Sequence, residues 1–587
     1  MHQTFEDFME KSCLALAREV PEFPTQMGLF EIAGEAVPQD YFASIDTGSV
    51  AARQQLLQTI DRNLDEFANE DLDDAEQQSA DVLRFVLRYA HERGLVGMAG
   101  GDFLRHEYLL RPSVGLQSDL PLFLSDLHPM RHVGDAENYV SRMSSIAPLL
   151  READQQQRER EPNGLLPPAI VIQNTISEIE RFIDSPVHDN ILYRALDEKT
   201  AELADLGAGA RSALLADAND EITSNIHPAY LELLATLRQQ VAQAPEDPGV
   251  WQLPGGDAWY EFMLRAATTT ELSAEEIHEI GIEETDRLER EILTACRDTG
   301  IEAKTISECY MALDSNKPSP RQDTPQNRQA IVDQIASLIA DTEPQLEGLF
   351  HQLPAGKVIV KTIPLFAESN RNQSYQPPSL DGTRPGFFEL NVGQLLEQSD
   401  FELPILVYHE IFPGHHLQIC LAQEMERLPS LRRIMTFDAY IEGWAKYAET
   451  IPSTHGISND PRFNIARMRR ELISTINLAL DTGIHEKRWS EEHAVQFFAR
   501  HSGMNESFSR HMVHRSASVP AQLCSYKIGM MKMFELKTKM ERELGSEFDI
   551  RDFHRAVLGN GAVPLSQLDS IVNGEVQRLF RGASGEH

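Results

Sequence analysis

The sequence is poor in cysteine, in aromatic residues and in positive charge. Five of its 587 residues are cysteine, and aromatic residues make up 7% of the chain. No stretch reaches the roughly 20 apolar residues that a membrane helix needs. The acidic N-terminus also lacks the basic start and apolar run of a signal peptide. We therefore expect neither a transmembrane helix nor a signal segment.

The balance of charge excludes several classes of partner. Lysine and arginine number 53 against 91 aspartate and glutamate residues, which gives a formal net charge of −38 and a pI near 4.9. Nucleic acid and anionic membrane surfaces would be repelled by this charge. We expect neither of them as a partner.

The cysteines form no recognisable framework. They contain no C-x-x-C pair, their number is odd, and they are scattered along the chain at Cys13, Cys296, Cys309, Cys420 and Cys524. This pattern predicts reduced thiols and a cytoplasmic location.

Helical periodicity dominates the sequence. Apolar residues recur at spacings of three and four between charges over 50–70, 75–95, 137–152, 170–184, 191–206, 208–220 and 227–244. Ser273 and Glu276 form a capping box that predicts the start of a further helix. The chain is longer than one usual domain, and its clearest break is the proline- and glycine-rich segment 244–257. We predict an N-terminal helical lobe over 1–250 and a catalytic lobe over 251–587.

The segment 357–392 is the exception to helix. Residues 357–364 alternate in polarity and are rich in β-branched side chains, and residues 386–392 also have strand character. We predict two or three short strands there, arranged as a hairpin. An exposed edge of such a sheet can pair with an extended peptide, or the hairpin can simply cover core.

Three histidines and a glutamate lie close together just after these strands, at His409, Glu410, His415 and His416. Neutral imidazole is a preferred zinc ligand, and a glutamate beside the first histidine can act as general base toward a metal-bound water. The pattern therefore predicts half of a zinc hydrolase site. The alternative is that the histidines only satisfy a buried helix break by hydrogen bonding.

The spacing departs from the usual H-E-x-x-H, because Pro413 stands where the second histidine would be. In an unbroken helix His409 and His416 would lie roughly 10.5 Å apart along the axis, which one ion could barely bridge. Pro413 and Gly414 favour a local interruption that brings the histidines together. We favour His415 over His416 as the second zinc ligand.

The third ligand should come from a second helix, and our candidate is Glu442. Gly443 and Ala445 follow it, and these small residues allow a neighbouring helix to approach closely. Glu449, seven residues later on a similar face, could orient a ligand histidine. Both glutamates could instead be surface residues of an amphipathic helix.

Four motifs resemble those of the bacterial family known as domain of unknown function 885. They are Tyr-His-Glu-x-x-Pro-Gly-His-His-Leu-Gln at 408–418, Glu-Gly-Trp-Ala-x-Tyr-Ala-Glu at 442–449, Asp-Thr-Gly-Ile-His at 481–485, and Arg-x-x-x-x-Pro-x-Gln-x-x-x-Tyr-Lys-x-Gly at 515–529. The resemblance covers at least residues 251–575. Two positions of the fourth motif depart from the family, with Ser516 in place of tyrosine and Ala521 in place of glycine.

Members of that family are similar in fold to the thermostable bacterial carboxypeptidases and, more distantly, to the thimet-type oligopeptidases. The resemblance implies a mainly α, two-lobed, zincin-like metallopeptidase with a small β-sheet beside the active-site cleft. It also directs attention to four residues of the matching blocks. Tyr526 and His485 are candidate donors to an oxyanion, Arg515 could clamp a substrate carboxylate, and His416 would face the substrate or support a ligand.

These observations together predict a carboxypeptidase-like zinc enzyme acting on short peptides. His409, His415 and Glu442 would hold the Zn²⁺ ion, and Glu410 would move the proton from water to the leaving amine. Two alternatives remain: a metal-dependent amidase or esterase with a non-peptide substrate, and a non-catalytic helical scaffold with a structural metal. The expected partner is a peptide substrate, and a homodimer is left open.

Overall fold

We describe the chain from a computed structural model, which describes residues 4–69, 72–93, 108–315, 321–363, 365, 368, 373–398 and 400–584. The chain divides into two compact units. One consists of Met1–Gly256 with Leu428–Ile434, and the other of Asp257–Arg427 with Met435–His587. The sequence placed the lobe boundary after residue 250. Almost all regular structure is helical, which confirms the predicted mainly α fold.

The first unit contains eleven α-helices before residue 256 in its described part. They are α1 Phe5–Glu19, α2 Glu22–Gln26, α3 Thr47–Glu66, α4 Asp74–Arg93, α5 Leu116–Leu122, α6 Val133–Met143, α7 Ile146–Arg160, α8 Ala169–Asp184, α9 Ile191–Ala201, α10 Ala208–Glu221 and α11 His227–Gln240. Two short antiparallel strands, β1 Glu31–Ile32 and β2 Glu35–Ala36, lie between α2 and α3. The helix predicted over 137–152 is two helices, because the chain turns at Ser144 and Ser145.

The core of the first unit lies among α5 to α11. Leu124, Leu150 and Tyr230 are among its fully buried side chains. Apolar residues spaced three and four apart place one face of each helix in this core. The tyrosine hydroxyls remain satisfied there; that of Tyr230, for example, donates to the carbonyl of Gln117 at 2.7 Å.

The rest of the chain contributes the remaining helices. They are α12 Gly256–Thr268, α13 Ala274–Asp298, α14 Ile306–Ser315, α15 Pro325–Thr342, α16 Val392–Leu395, α17 Leu403–Glu410, α18 His415–Gln423, α19 Ser430–Ile434, α20 Asp438–Ala448, α21 Ile451–Thr454, α22 Pro461–His485, α23 Glu491–Ser502, α24 Glu506–Ser518, α25 Cys524–Leu544, α26 Ile550–Leu558 and α27 Leu565–Ser584. Of these, α19 belongs to the first unit. The predicted capping box of Ser273 and Glu276 is confirmed at the start of α13.

The core of the second unit centres on the long helices α13 and α22. Leu288, Leu472 and Phe498 are buried in it. Gly281 permits close packing of the two helices, since a Cβ atom at this position would lie 2.6 Å from the backbone nitrogen of Ala479. Within the described part of the chain, no helix combines the length and apolarity needed to cross a bilayer.

A three-stranded sheet lies in the second unit, with strands β3 Val358–Thr362, β4 Ser374–Gln376 and β5 Gly386–Leu390 in the order β3-β5-β4. β3 and β5 lie in the two segments predicted as strands, β4 lies between them where turns were indicated, and the predicted hairpin arrangement is wrong. β3 pairs with β5 in parallel, with Val358 opposite Gly386, while β4 pairs antiparallel with β5. Parallel pairing needs a long connection, and the intervening segment 363–385 supplies it.

One pair of cysteines contradicts the prediction of reduced thiols. Cys296 at the end of α13 and Cys309 in α14 form a disulfide with Cα atoms 6.4 Å apart, a usual spacing for such a bond. The other three cysteines, Cys13, Cys420 and Cys524, are free and buried. The odd number of cysteines in the chain gave no indication of this pair. The pairing depends on how α13 and α14 pack.

Candidate metal centre

The break between α17 and α18 brings two histidines together. α17 ends at Glu410 and α18 begins at His415, so the chain leaves the helical path instead of bulging within one helix. Gly414 is required at this turn, since a Cβ atom there would lie 1.8 Å from the carbonyl oxygen of His409. The rings of His409 and His415 consequently lie 4.8 Å apart, at 84° to each other.

Glu442 of α20 completes the group. Its Oε2 atom lies 3.5 Å from Nε2 of His409 and 3.5 Å from Nε2 of His415. The ligand atoms of the three residues all lie within 4.8 Å of one another. The structure thus brings together the three residues that the sequence selected as ligands, and it places His415, not His416, in the group.

The donor set fits a zinc ion. Tetrahedral zinc, with Zn–N and Zn–O bonds of about 2.0–2.2 Å, holds its ligand atoms about 3.3–3.5 Å apart, and the two distances to Glu442 are of this size. Glu442 Oε2 is buried and has no hydrogen-bond partner in the described part of the chain. A buried carboxylate oxygen without a donor is costly, and a cation between it and the two imidazoles would satisfy it.

Glu449 binds the second ring nitrogen of His409, Nδ1. Its Oε1 atom lies 2.9 Å from Nδ1 of His409, and its side chain is only 1% exposed. Because the carboxylate can only accept, His409 carries its proton on Nδ1 and directs Nε2 toward His415 and Glu442. This is the orienting geometry that the sequence suggested for Glu449.

The charge of Glu449 is balanced by residues that the sequence analysis missed. Nζ of Lys446 lies 3.0 and 2.8 Å from the two carboxylate oxygens, and Nε of Arg470 lies 3.9 Å from Oε1. The lysine is buried, so it neutralises the glutamate in a region of low dielectric. Its position one helical turn before Glu449 was the available signal.

The electrostatics of the group favour a cation. Burial disfavours the charged form of His409, but the nearby carboxylate of Glu442 and the hydrogen bond with Glu449 outweigh burial and raise its pKa to about 9. Burial also opposes ionisation of Glu442, yet the nearby imidazoles of His409 and His415 hold its pKa well below the usual range. The metal-free group thus retains a proton in the place where a metal would contribute positive charge.

Glu410, the predicted base, is the last residue of α17 and is half-buried. No hydrogen bond or ion pair joins its carboxylate to another described residue. The carboxylate next to His409 is therefore uncommitted and available to accept a proton from water.

Two glycines hold α25 against α20. A Cβ atom at Gly529 would lie 1.9 Å from the carbonyl oxygen of Ala439, and one at Gly443 would lie 2.4 Å from the carbonyl carbon of Gly529. This approach places Tyr526, one turn before Gly529, near Glu442. Burial raises the pKa of Tyr526, and the negative charge of Glu442 raises it further, so the hydroxyl remains a donor.

Arg515 lies beside Tyr526. Its Nη2 atom donates to Oε1 of Gln522 at 3.1 Å and to the hydroxyl of Tyr526 at 3.3 Å. No carboxylate of the described residues lies within ion-pair distance of this guanidinium, although the protein is strongly acidic. Arg515 therefore presents a positive charge without an acidic partner beside Tyr526.

His416 does not have the substrate-facing position predicted for it. Its side chain is 0% exposed, Nδ1 lies 2.8 Å from the hydroxyl of Tyr375, and Nε2 lies 3.0 Å from the carbonyl oxygen of Gly356. Burial lowers its pKa to about 4. With both ring nitrogens used, His416 instead ties α18 to β4.

His485 is also fully buried, with Nε2 3.2 Å from the carbonyl oxygen of Ser516. Burial lowers its pKa, although neighbouring Asp481 opposes the shift. Its predicted role as a donor to an oxyanion requires an accessible ring, and its position provides none. Of the two candidate donors to an oxyanion, Tyr526 is the one that still fits this role.

Asp481 organises the segment that carries Arg515 and Tyr526. It accepts hydrogen bonds from Ser516 Oγ at 2.7 Å and from the backbone nitrogen of Ala521 at 2.9 Å. Ala521 has a φ of 71°, a conformation that favours glycine. Ser516 and Ala521, the two departures from the family motif, therefore both donate to the carboxylate of Asp481. No sequence pattern indicated this role for Asp481.

The profile of a family described as bacterial protein of unknown function (DUF885) matches residues 21–572. The chain belongs to this family. The match extends far to the N-terminal side of the region 251–575 in which the motifs were found. No curated protein matches the chain.

Solved structures similar to the chain support the fold over its whole length. "The putative lipoprotein from Colwellia psychrerythraea" is 25% identical, with a TM-score of 0.92 over 98% of this chain and 100% of that one. "A putative lipoprotein of unknown function from Shewanella oneidensis" is 17% identical, with a TM-score of 0.71 over 97% and 100% of the two chains.

A third structure is far less similar. "A putative oligoendopeptidase F from Bacillus anthracis str. Ames" is 12% identical, with a TM-score of 0.32 over 92% of this chain and 96% of that one. A TM-score of this size does not show a shared fold. The function is therefore inferred from the residues of the site alone.

The predicted cytoplasmic location is wrong. The structure from Colwellia psychrerythraea, which matches nearly the whole chain, is described as that of a putative lipoprotein, which is not the description of a cytoplasmic protein. The prediction rested on the cysteines, and the disulfide between Cys296 and Cys309 removes that basis, because disulfides persist in oxidising compartments.

Proposed function

We propose that the chain is a zinc-dependent metallopeptidase of carboxypeptidase-like, zincin-like type, acting on short peptides. The observation that supports this most is the convergence of His409, His415 and Glu442, two imidazoles and a carboxylate from three helices. Three protein ligands leave a coordination position open, whereas structural zinc sites are usually closed by four. No fourth ligand accompanies them among the residues that the structure describes, which favours a catalytic site over a structural one.

His409, His415 and Glu442 would hold the ion. When bound, zinc would supply a water of lowered pKa and a Lewis acid for the substrate carbonyl. Glu449 holds His409 in the tautomer whose Nε2 faces the other ligands. Lys446 keeps Glu449 ionised in its buried position, so the orientation of His409 persists across the neutral pH range.

Glu410 would move the proton. Its uncommitted carboxylate follows ligand His409 in the chain and can accept a proton from the attacking water. The protonated carboxyl can then deliver this proton to the nitrogen of the leaving amine as the amide bond breaks. Tyr526 would donate its hydroxyl hydrogen bond to the developing oxyanion, since its raised pKa keeps it protonated.

Arg515 supports action at the C-terminus of a peptide. A guanidinium without an acidic partner binds a carboxylate through two parallel hydrogen bonds. Its contact with Tyr526 would place the terminal carboxylate beside the residue that stabilises the oxyanion. The scissile bond would then be the last one of the peptide.

The proposal is tested by metal analysis of the purified protein, combined with cleavage of a mixed peptide library with and without chelator. We expect about one zinc ion per chain, loss of single residues from peptide C-termini, and loss of activity with chelator that added zinc restores. Hydrolysis of amide or ester substrates without cleavage of any peptide would instead favour the amidase or esterase alternative. A metal that resists removal, with no hydrolysis, would favour the scaffold.

A further inference from the structure

The two ligand histidines differ in how their second ring nitrogen is satisfied. Nδ1 of His409 lies 2.9 Å from Glu449. Nδ1 of His415 is buried and has no hydrogen-bond partner in the described chain, although the residue is only 9% exposed. A metal-ligating histidine almost always donates its other N–H to an acceptor, so one acceptor of the site is still to be assigned.

The side-chain amide of Gln418 also lacks hydrogen-bond partners. Its side chain is 3% exposed, and neither Oε1 nor Nε2 has a partner among the described residues. A buried amide without hydrogen bonds is unfavourable, and buried polar side chains are rarely left in this state. Gln418 therefore has an unused acceptor, and His415 has an unused donor.

The position of the two residues makes them neighbours. His415 is the first residue of α18, and Gln418 follows three residues later in the same helix. Side chains three residues apart lie on one face, and helical side chains lean toward the N-terminus of their helix. From this geometry we expect the amide of Gln418 to reach the turn that contains His415.

We propose that Gln418 is the positioning residue of His415, accepting a hydrogen bond from its Nδ1 through Oε1. The bond forms either directly after a change of rotamer or through one buried water that contacts both groups. It fixes the tautomer of His415 that leaves Nε2 free to face Glu442. This inference rests on the proposed zinc site.

Gln418 and Glu449 would then play parallel roles with different charge. Glu449 is a carboxylate that needs Lys446 as a buried counterion. The amide of Gln418 is neutral and needs none. A neutral acceptor orients His415 without adding a further negative charge to a site that already contains Glu410, Glu442 and Glu449.

The test compares zinc affinity with the stability of the metal-free protein. Zinc affinity is measured by competition with a chromophoric chelator, and stability by thermal unfolding. We expect Gln418→Leu, which removes the amide at similar volume, to weaken zinc binding by about 10- to 100-fold. The unfolding temperature of its metal-free form should change little, because leucine keeps the volume and the loss of one hydrogen bond is offset by removal of the unpartnered Nε2 atom.

Two further variants separate positioning from packing. Gln418→Glu keeps the shape and supplies a stronger acceptor, so we expect zinc affinity equal to or above that of the wild type. Gln423 is a second buried glutamine of α18, and its Nε2 donates to the carbonyl of Pro378 at 3.1 Å. We expect Gln423→Leu to lower stability and to leave zinc affinity unchanged.

Equal zinc affinity of the wild type and Gln418→Leu would overturn the assignment. A second result would also overturn it: the metal-free form of Gln418→Leu is destabilised, and Gln418→Glu does not restore wild-type zinc affinity. That result would mean that Gln418 acts through packing. If Gln418→Leu does not fold, Gln418→Asn replaces it, and it should bind zinc about tenfold more weakly because its amide is too short. A wild-type protein that binds no zinc would instead reject the metal site itself.

Discussion

Nδ1 of His409 and Oε1 of Glu449 lie 2.9 Å apart, and both side chains are almost completely buried. The carboxylate orients the imidazole and increases its basicity toward a metal. Burial alone would favour a neutral Glu449, but the charges of Lys446 and His409 and the bond to His409 keep its pKa well below the usual range. His409, a proposed metal ligand, is thereby linked to a buried ion pair.

Replacement of Glu449 by glutamine should weaken zinc binding by about 10- to 100-fold, as expected for the loss of such an acceptor. It should also destabilise the protein, because Lys446 would remain buried without a counterion. The double variant Lys446→Met with Glu449→Gln is the control. We expect it to recover much of the stability but not the zinc affinity, as measured by urea unfolding and chelator competition. Recovery of both would mean that Glu449 acts on the fold alone.

Replacement of Glu410 by glutamine should preserve zinc binding and reduce kcat by about 10²- to 10⁴-fold, the usual contribution of a general base. The amide has nearly the same shape but cannot accept the proton. Peptide hydrolysis and metal content should be measured on the same preparation. Wild-type turnover in Glu410→Gln would refute the assignment of the base.

The raised pKa of His409 predicts a pH dependence of the metal-free protein. Histidine has a pKa of about 6.5 in an unfolded chain, against about 9 in the fold. The folded state thus holds more protons between these values. Its contribution to the free energy of unfolding is complete below about pH 6.5 and is lost as the pH rises through about 9.

Zinc binding should follow the opposite trend over this range, because the metal must displace the proton. Urea unfolding and zinc competition at about pH 6.5 and pH 9 would measure both effects. In His409→Asn the decrease in stability with rising pH should be smaller. A metal-free wild type that becomes more stable between these two pH values would contradict the prediction.

The contact of α20 with α25 should tolerate no side chain at Gly529. An alanine there would place its Cβ atom 1.9 Å from the carbonyl oxygen of Ala439. We expect Gly529→Ala to lower the free energy of unfolding by about 1–3 kcal/mol or more and to reduce activity by displacing Tyr526. Gly574 in α27 is the matched control, because a Cβ atom would meet nothing within 4 Å. Gly574→Ala should be neutral or stabilising by up to about 1 kcal/mol.

The substrate role of Arg515 predicts a dependence on the peptide's C-terminus. Peptides with a free carboxylate should be cleaved faster than their amidated forms, and Arg515→Met should reduce kcat/KM for the free peptides only. Steady-state kinetics on matched pairs of peptides would measure this. Cleavage of both forms at equal rates would exclude a carboxypeptidase.

The sequence was informative about the metal site because the relevant signals are local. His409, Glu410 and His415 occur in one short segment, and Pro413 with Gly414 indicated that the helix is interrupted. The choice of His415 over His416 followed from the length of that interruption. Glu442 and Glu449 share one helical face, so their joint position near the histidines could be anticipated.

The misassigned residues depend on contacts that are distant in sequence. His416 was expected to face substrate, but Tyr375 and Gly356 use both of its ring nitrogens. His485 is enclosed by the packing of α22 and α24, where Ser516 contacts it. No pattern within a single helix reveals such partners, because burial is decided by which elements come together.

The sequence by itself determined the helical class, the location of β3 and β5 and the choice of His409, His415 and Glu442 as candidate ligands, since helical periodicity and motif spacing are short-range properties. Only the tertiary structure decided the parallel pairing of β3 with β5, the disulfide of Cys296 with Cys309 and the separate environments of His415 and His416. Each of these depends on the distance between segments far apart in the chain. That distance is set by packing of the whole unit, for which a single sequence contains no local signal.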